Sequence, residues 1–301
     1  LQYGDMGSII FGLQFNGLLP FGIGFNPQYP YSVYATNTSA SNYDGLLMTL
    51  HKKYSQGLQF DLNYTYSHSI DNLSAIANNV FGENANFSGG ILCDALNPRA
   101  CRGNSDFDIT HIISGDGIYD LPFGRGKRFL GDASGWVNQV IGGWQIAGDT
   151  QWHTGLAFTT LSNSFPLSFN NDVPAIFNGN TSALKVKVHN DQGRVQLFAD
   201  STAAINAFSG PTGFQAGSRN NLRGPRLSTT DLSVNKHFPI HENYALEFRA
   251  EAYNVFNHPS FGLPGGRFGG TADITDPQTF GFISSTASVA RFMQFALRFD
   301  F

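Results

Sequence analysis

The stretch Arg291-Phe-Met-Gln-Phe-Ala-Leu-Arg-Phe-Asp-Phe301 decides the fold of this chain. From Met293 to Phe301 every second residue is large and apolar, and polar or small residues separate them: Gln294, Ala296, Arg298 and Asp300. A period of two places the apolar side chains on one face of a β-strand. That face must meet either a protein core or lipid, and a single strand cannot distinguish the two.

The composition indicates that much of the surface does not face water. Charged residues make up 13% of the 301 residues, against about 25% in soluble domains. No run approaches the roughly 18 apolar residues that a membrane-spanning helix needs. A transmembrane β-barrel satisfies both observations, because only alternate residues of each strand face lipid. The net charge of −4 gives no electrostatic reason to expect nucleic-acid binding.

A strand that ends on a carboxyl-terminal Phe is also how bacterial outer-membrane barrels finish. We therefore predict an all-β, antiparallel transmembrane barrel in the bacterial outer membrane. The alternate residues of the last strand are expected to form the assembly signal that the barrel assembly machinery reads: Phe295, Leu297, Phe299 and Phe301.

Seven segments of the chain carry strand patterns: residues 43–54, 58–70, 106–121, 143–156, 228–238, 244–256 and 289–301. Connections are tight at 55–57 and 239–243, and long at 71–105, 157–227 and 257–288. This alternation is typical of short periplasmic turns and long extracellular loops. Because single-chain bacterial barrels have an even number of strands from eight upward, seven strands predict the C-terminal portion of a larger barrel.

Two connections carry further patterns. In the turn at 122–142, apolar residues at helical spacing fit either a helix along the membrane interface or an irregular turn: Trp136, Val137, Val140 and Ile141. Residues 184–198 predict an extra hairpin above the membrane, which would cap the barrel mouth or offer a docking surface.

The two cysteines, Cys93 and Cys101, lie in a segment rich in Gly, Asn and Pro. We predict that they form one disulfide that closes a surface loop in an oxidising compartment. Two free thiols are the alternative. A four-ligand metal site would need a second pair of ligands, which the sequence does not offer.

No sequence motif indicates catalysis. His237 and His241 are four residues apart, but Pro239 lies between them at a predicted turn and no H-E-x-x-H motif accompanies them. No G-x-S-x-G motif is present either. We therefore expect no catalytic residue, no metal site and no cofactor.

Charged residues supply the candidates for ligand binding: Arg99, Arg102, Asp106, Asp108, His153, Arg219 and Arg223. Strand alternation would place Asp106, Asp108 and Asp116 on one side, although Asp116 lies too far along the strand to join the other two. The alternative is structural, with these carboxylates paired to Arg99 or Arg102. A second charged group is expected to line the barrel wall, because an outward-facing Arg is costly: Glu247, Arg249, Glu251, Arg298 and Asp300.

Several stretches are characteristic in combination. They are residues 43–71, Tyr119-Asp-Leu-Pro-Phe-Gly-Arg-Gly-Lys-Arg-Phe129, Gly142-Gly-Trp-Gln-Ile146, Asn221-Leu-Arg-Gly-Pro-Arg226, Phe248-Arg-Ala-Glu-Ala-Tyr-Asn-Val-Phe-Asn-His-Pro-Ser-Phe261 and the terminal strand. Together they resemble the C-terminal barrel half of Oar-like TonB-dependent receptors. Residues 157–215 match least.

The resemblance implies a 22-stranded outer-membrane barrel with an internal plug. Residues 1–301 would be the C-terminal part of that barrel, without the plug and the N-terminal segment that contacts the TonB complex. The receptor would mediate energised uptake or export of a large or scarce ligand. The implied partners are outer-membrane lipid, the barrel assembly machinery, the TonB complex and an extracellular ligand.

Two other functions fit the same strand patterns. A passive porin or structural barrel without a plug predicts conductance that needs neither ligand nor TonB. A secreted β-sandwich adhesin would bury the same apolar faces against each other across a core, and it predicts solubility without detergent.

Overall fold

A computed structural model of the protein describes residues 13–14, 17–18, 20, 40–72, 74, 99, 102–162, 173–211, 217–241, 244–264 and 272–301. Its largest element is an antiparallel sheet of seven long strands, which we call the wall: β1 (Ser41–Ser55), β2 (Leu58–Asp71), β3 (His111–Asp120), β4 (Trp144–His153), β5 (Leu227–His241), β6 (Tyr244–Tyr253) and β7 (Phe292–Asp300). Each strand pairs with the next one in sequence. A short strand, Gly103–Asn104, also pairs with β2.

The strand bounds agree with the predicted segments to within three residues, except at the start of β3. Residues 106–110, which we predicted to be strand, lie outside the sheet. The amide of Asp108 donates to the carbonyl of Ser105 (3.0 Å) in a turn, so the strand prediction is wrong for these residues. Pro239, predicted to lie in a turn, belongs to β5. β5 pairs with β4 only as far as Lys236, so the missing N–H of Pro239 costs no ladder bond there.

The register separates the wall into an apolar outward face and a polar lumen face. Leu50 lies opposite Leu62 and Phe248 lies opposite Leu297. The outward apolar side chains are not covered, since Leu50 is 58% exposed and Leu297 is 67% exposed. Polar pairs such as Thr49 and Asn63 occupy the lumen face, where the Thr49 hydroxyl donates to the Asn63 amide oxygen (2.9 Å). This confirms the predicted architecture of an antiparallel membrane-barrel wall.

β1 and β7 form the two edges of the sheet and do not pair with each other in the part of the chain that the structure describes. At the tight end of the wall, Gln56 and Gly57 join β1 to β2 with both φ angles positive (55° and 81°). This backbone is typical of the two-residue hairpin turn that matches strand twist.

The long connections after β4 and β6 fold together into a second unit, which we call the cap: residues 154–162, 173–211, 217–226 and 254–291, as far as the structure describes them. Its short strands are Ala157–Phe158, Thr160–Ser162, Val173–Pro174, Ile176–Phe177, Val186–Asp191, Arg194–Phe198, Phe208–Ser209, Leu222–Arg223, Ala272–Asp273 and Phe282–Ile283. Val186–Asp191 and Arg194–Phe198 pair across a turn, which confirms the predicted hairpin at 184–198. A 3-10 helix, Thr181–Leu184, precedes this hairpin.

The cap has its own hydrophobic core, whose members come from both connections: Phe158, Ala175, Leu197, Phe198, Ala204, Ala207, Phe208, Leu222, Ala272, Phe280 and Ile283. The rings of Phe198 and Phe280 stack with centroids 5.4 Å apart. This contact joins the β4–β5 connection to the β6–β7 connection, so the two long connections form one packed unit.

Two α-helices lie within residues 102–211. Helix α1 (Gly135–Ile141) lies between β3 and β4, which confirms the helical spacing in the turn at 122–142. Helix α2 (Ser201–Asn206) belongs to the cap, and the Asp200 side chain caps its start by accepting from the Ala203 amide (2.9 Å). None of the helices among the described residues is long and apolar enough to span a membrane.

Candidate functional site

The principal polar cluster lies where the cap meets the end of β2, and Arg219 is at its centre. The Arg219 side chain is 9% exposed and its guanidinium contacts the Asp71 carboxylate, itself 4% exposed. The same guanidinium donates to the Asp71 carbonyl (3.0 Å), to the Ser74 hydroxyl (2.9 Å) and to the Asp106 carboxylate (3.3 Å). One cap residue thus binds two carboxylates at the rim of the wall.

Asn220 continues the junction beside Arg219. Its side-chain amide donates to the Asn104 carbonyl (2.7 Å) and to Asp106 Oδ1 (2.6 Å). Its side-chain oxygen accepts from the Thr159 hydroxyl (2.9 Å). The backbone of Asn220 has φ +52°, a left-handed conformation that Asn tolerates better than most residues.

Arg223 makes the second ion pair of the junction, with Asp108. It also donates to the Asp108 carbonyl (2.7 Å). Asp108 is 1% exposed, and its other carboxylate oxygen accepts from the Ser69 amide of β2. A buried carboxylate is stable only when its oxygens are satisfied in this way, so Arg223 and Ser69 together hold the segment after Gly103–Asn104 against the wall.

The junction therefore brings together four of the seven predicted ligand-binding residues: Asp106, Asp108, Arg219 and Arg223. Their partners differ from the structural alternative in the sequence, because the carboxylates pair with the cap arginines and not with Arg99 or Arg102. Residues 106 and 219 are too far apart in sequence for any local pattern to reveal the pair. The geometry provides mechanical attachment of the cap, and a ligand-binding role for these residues stays a prediction.

The remaining candidates lie away from this cluster. Arg99 is exposed, and Arg102 donates to the Asn42 side chain of β1 (3.2 Å). A ring nitrogen of His153 lies 2.7 Å from the Thr154 carbonyl. Cys93 and Cys101 lie outside the described residues, so the disulfide stays a prediction.

A row of four aspartates crosses the lumen face of the wall. Asp61, Asp116, Asp149 and Asp231 come from four neighbouring strands, and each lies directly opposite the next. Like charges placed opposite each other are destabilising. At one end the Asp61 carboxylate contacts a ring nitrogen of His51, and at the other Asp231 accepts from the Asn254 amide (2.8 Å).

Three members of this row, Asp116, Asp149 and Asp231, line an open groove of about 320 Å³, whose lining also includes Glu251 and Tyr253. Sequence reasoning missed the row, because only the strand register shows which residues are opposite. It correctly separated Asp116 from Asp106 and Asp108. In the described part of the chain, no three His, Cys, Asp or Glu side chains are grouped so that they could hold a metal ion.

The predicted charge network of the last two strands is present on the lumen face. Arg249 lies 3.3 Å from Glu247 and 3.8 Å from Glu251, and Arg298 lies 2.7 Å from Asp300. These pairs are partly exposed, so each contributes about 0–1 kcal/mol to stability. Their main consequence is a polar wall surface.

The sequence model of the family described as "Outer membrane beta barrel domain" matches residues 12–294. No curated protein and no solved structure matches the chain.

Proposed function

This chain belongs to the outer membrane beta barrel family, and from that premise we propose that it forms the wall and extracellular cap of a TonB-dependent receptor. The receptor would take up or export a large or scarce ligand, with energy supplied through the TonB complex. The cap would recognise the ligand at the barrel mouth. The proposal assigns no covalent chemistry to these residues.

The observation that supports a receptor most strongly is the attachment of the cap. Burying charges such as Arg219, Asp71 and Asp108 has a desolvation cost that only well-formed pairs and hydrogen bonds offset. We infer that these pairs fix the orientation of the cap on the wall more than they add stability. A cap with its own core, held in one orientation over the rim, suits a shaped mouth that selects a ligand.

The second candidate is a passive pore that favours cations, and the aspartate row supports it. Rings or rows of carboxylates lining a lumen concentrate cations and raise their passage relative to anions. Asp116 and Asp149 lie near the middle of their strands, where a lumen would be lined by the wall alone.

The adhesin alternative from the sequence is wrong. It required the apolar faces to meet across a soluble core, whereas the chain belongs to an outer-membrane family and the outward face of its wall is exposed.

Single-channel recording of the full protein in a planar lipid bilayer separates the two remaining candidates. A gated receptor is expected to show no steady conductance. A passive pore is expected to conduct steadily and to prefer cations, and Asp116→Asn with Asp149→Asn would reduce that preference. Steady conductance of the unmodified protein would contradict the receptor proposal. In cells, growth on a candidate ligand should also require an intact TonB complex.

A further inference from the structure

The turn between β3 and β4, residues 121–143, exposes large apolar side chains that no part of the described chain covers. Helix α1 buries none of its residues. Trp136 is 76% exposed and Val140, one helical turn later, is 60% exposed; Leu130 is 61% exposed. Residues four apart lie on one helix face, so Trp136 and Val140 form a single apolar face. We call residues 121–143 the interface turn.

The interface turn is held firmly even though it is exposed. The Asn138 side chain accepts from the Arg125 amide (2.6 Å), and the Gln139 side chain donates to the Pro239 carbonyl (2.8 Å). The backbones of Phe123 and Phe129 form a bridge, with ring centroids 5.6 Å apart. Contacts within the chain therefore hold the apolar face in place without a partner.

The interface turn is also continuous with the outward face of the wall. Trp144 and Lys236 lie opposite each other on that face. The Trp144 indole donates to the Val140 carbonyl (2.8 Å), and the Lys236 ammonium contacts the Gly142 carbonyl. The end of α1 is thus attached to the surface that meets lipid.

The positive charge of the interface turn indicates that it binds lipid headgroups and not acyl chains alone. Residues 122–142 contain Arg125, Lys127 and Arg128 against one acid, Asp132, which is a net charge of +2 in a chain whose total is −4. Neither Arg125 nor Arg128 forms an ion pair with a carboxylate among the described residues, whereas Lys127 interacts electrostatically with Asp120 of β3. The Arg128 guanidinium lies 5.6 Å from the ring centroid of the exposed Phe129.

We propose that the interface turn binds the headgroups of anionic phospholipids in the leaflet on the side of the short turns. Trp136 and Val140 enter the boundary between headgroups and acyl chains, while Arg125 and Arg128 contact phosphate oxygens. A free phosphate would satisfy the arginines but leave the apolar face uncovered. The inference depends on the membrane wall and not on TonB dependence.

Tryptophan quenching in vesicles of the full protein tests this. The contribution of Trp136 is the difference between the unmodified protein and Trp136→Phe, which retains Trp144 and Trp152. Two vesicle types carry bromine at the same acyl position near the headgroup, on phosphatidylglycerol in one and on phosphatidylcholine in the other. We expect quenching of Trp136 to show roughly fivefold enrichment of brominated phosphatidylglycerol. The enrichment should be lost in Arg125→Gln with Arg128→Gln and kept in Arg125→Lys with Arg128→Lys.

Three results would overturn the proposal. Quenching of the two tryptophans retained in Trp136→Phe without quenching of Trp136 would show that the barrel is inserted while the interface turn faces water or protein. Equal quenching of Trp136 by both lipids would show that no headgroup is selected. If the two tryptophans retained in Trp136→Phe are not quenched, the wall itself is not in lipid, and both this proposal and the membrane-embedded receptor fail.

Discussion

Leu197 in the cap and Leu297 in the wall are the same residue type, and both lie in β-strands, yet their surroundings are opposite. Leu197 is 0% exposed and Leu297 is 67% exposed. Phe198 and Phe295 repeat the contrast, at 0% and 64%. The cap hides its apolar groups from water in a core of its own. The wall presents them outward, so a lipid bilayer must supply the apolar surroundings that the protein does not.

The comparison predicts that the same substitution has different effects in the two regions. Fully burying a large apolar side chain contributes about 1.5–3 kcal/mol, and in the cap that contribution comes from protein atoms that cannot rearrange freely. In the wall that contribution comes from fluid lipid chains, which can fill the space left by a smaller side chain. Four variants measure the contrast, from the largest expected effect to the smallest.

Phe198→Ala should destabilise the cap by about 4 kcal/mol, because it leaves a cavity beside Phe280. Hydrogen exchange of the cap amides in vesicles measures the loss. The matched control is Phe295→Ala, for which exchange in the cap should be unchanged. Equal effects of the two variants would remove the distinction between cap and wall.

Leu297→Arg should destabilise the wall by about 3 kcal/mol, since it places a guanidinium in the middle of an outward-facing strand. Reversible unfolding in urea from lipid vesicles measures it. Ala296→Arg, one residue away on the lumen face, should cost well under half as much. A larger loss at 296 than at 297 would reverse the assignment of the two faces.

Arg219→Gln should weaken the junction by about 2 kcal/mol, because Asp71 keeps hydrogen-bond donors but loses its buried counter-charge. Limited proteolysis should cut the cap faster in this variant while the wall stays resistant. Arg102→Gln removes a single exposed hydrogen bond and should change the cleavage rate by less than about twofold. Unchanged cleavage in Arg219→Gln would show that the cap is held by other contacts.

Phe301→Asp should have the smallest effect on the stability of the finished wall, about 1 kcal/mol or less. Phe301 is 91% exposed, and its described ring contact is stacking on Phe299 (6.1 Å). Assembly in the outer membrane should nevertheless fall, as the terminal assembly signal predicts. Heat-modifiable mobility on gels measures the assembled fraction, with Phe301→Leu as the control. Normal assembly of Phe301→Asp would reject the signal.

The strands of the wall could be predicted from the sequence, whereas most strands of the cap could not. The difference is strand length, because only a long strand shows a period of two. All seven wall strands are nine or more residues long, which is long enough for a period of two to show. Most cap strands, such as Ala157–Phe158, are two or three residues long and too short to show a period, whereas the longer hairpin at 184–198 was predicted correctly. The error at residues 106–110 has a related cause. Asp106 and Asp108 alternate with Phe107 and Ile109 as the residues of a strand would. Their carboxylates instead pair with Arg219 and Arg223, which are distant in sequence, and the segment lies outside the sheet.

The aspartate row and the partners of the buried carboxylates could not be predicted, because both depend on pairing between residues that are distant in sequence. The aspartate row needs the pairing of β2, β3, β4 and β5 residue by residue, since a shift of one would move a carboxylate to the outward face. The partners of Asp108 and Asp71 likewise come from the cap, more than 100 residues later. The arginines themselves are candidates from the sequence, because guanidinium groups suit carboxylates and phosphates.

The most direct test of the central claim is labelling of neighbouring cysteines in β7 with a membrane-impermeant maleimide. Ala296→Cys and Leu297→Cys are each assembled in membranes, and labelling of the unmodified chain is subtracted. A wall whose outward face meets lipid predicts that position 296 is labelled and position 297 is not, with both labelled after denaturation. Equal labelling of the two positions in the assembled protein would contradict a lipid-facing wall.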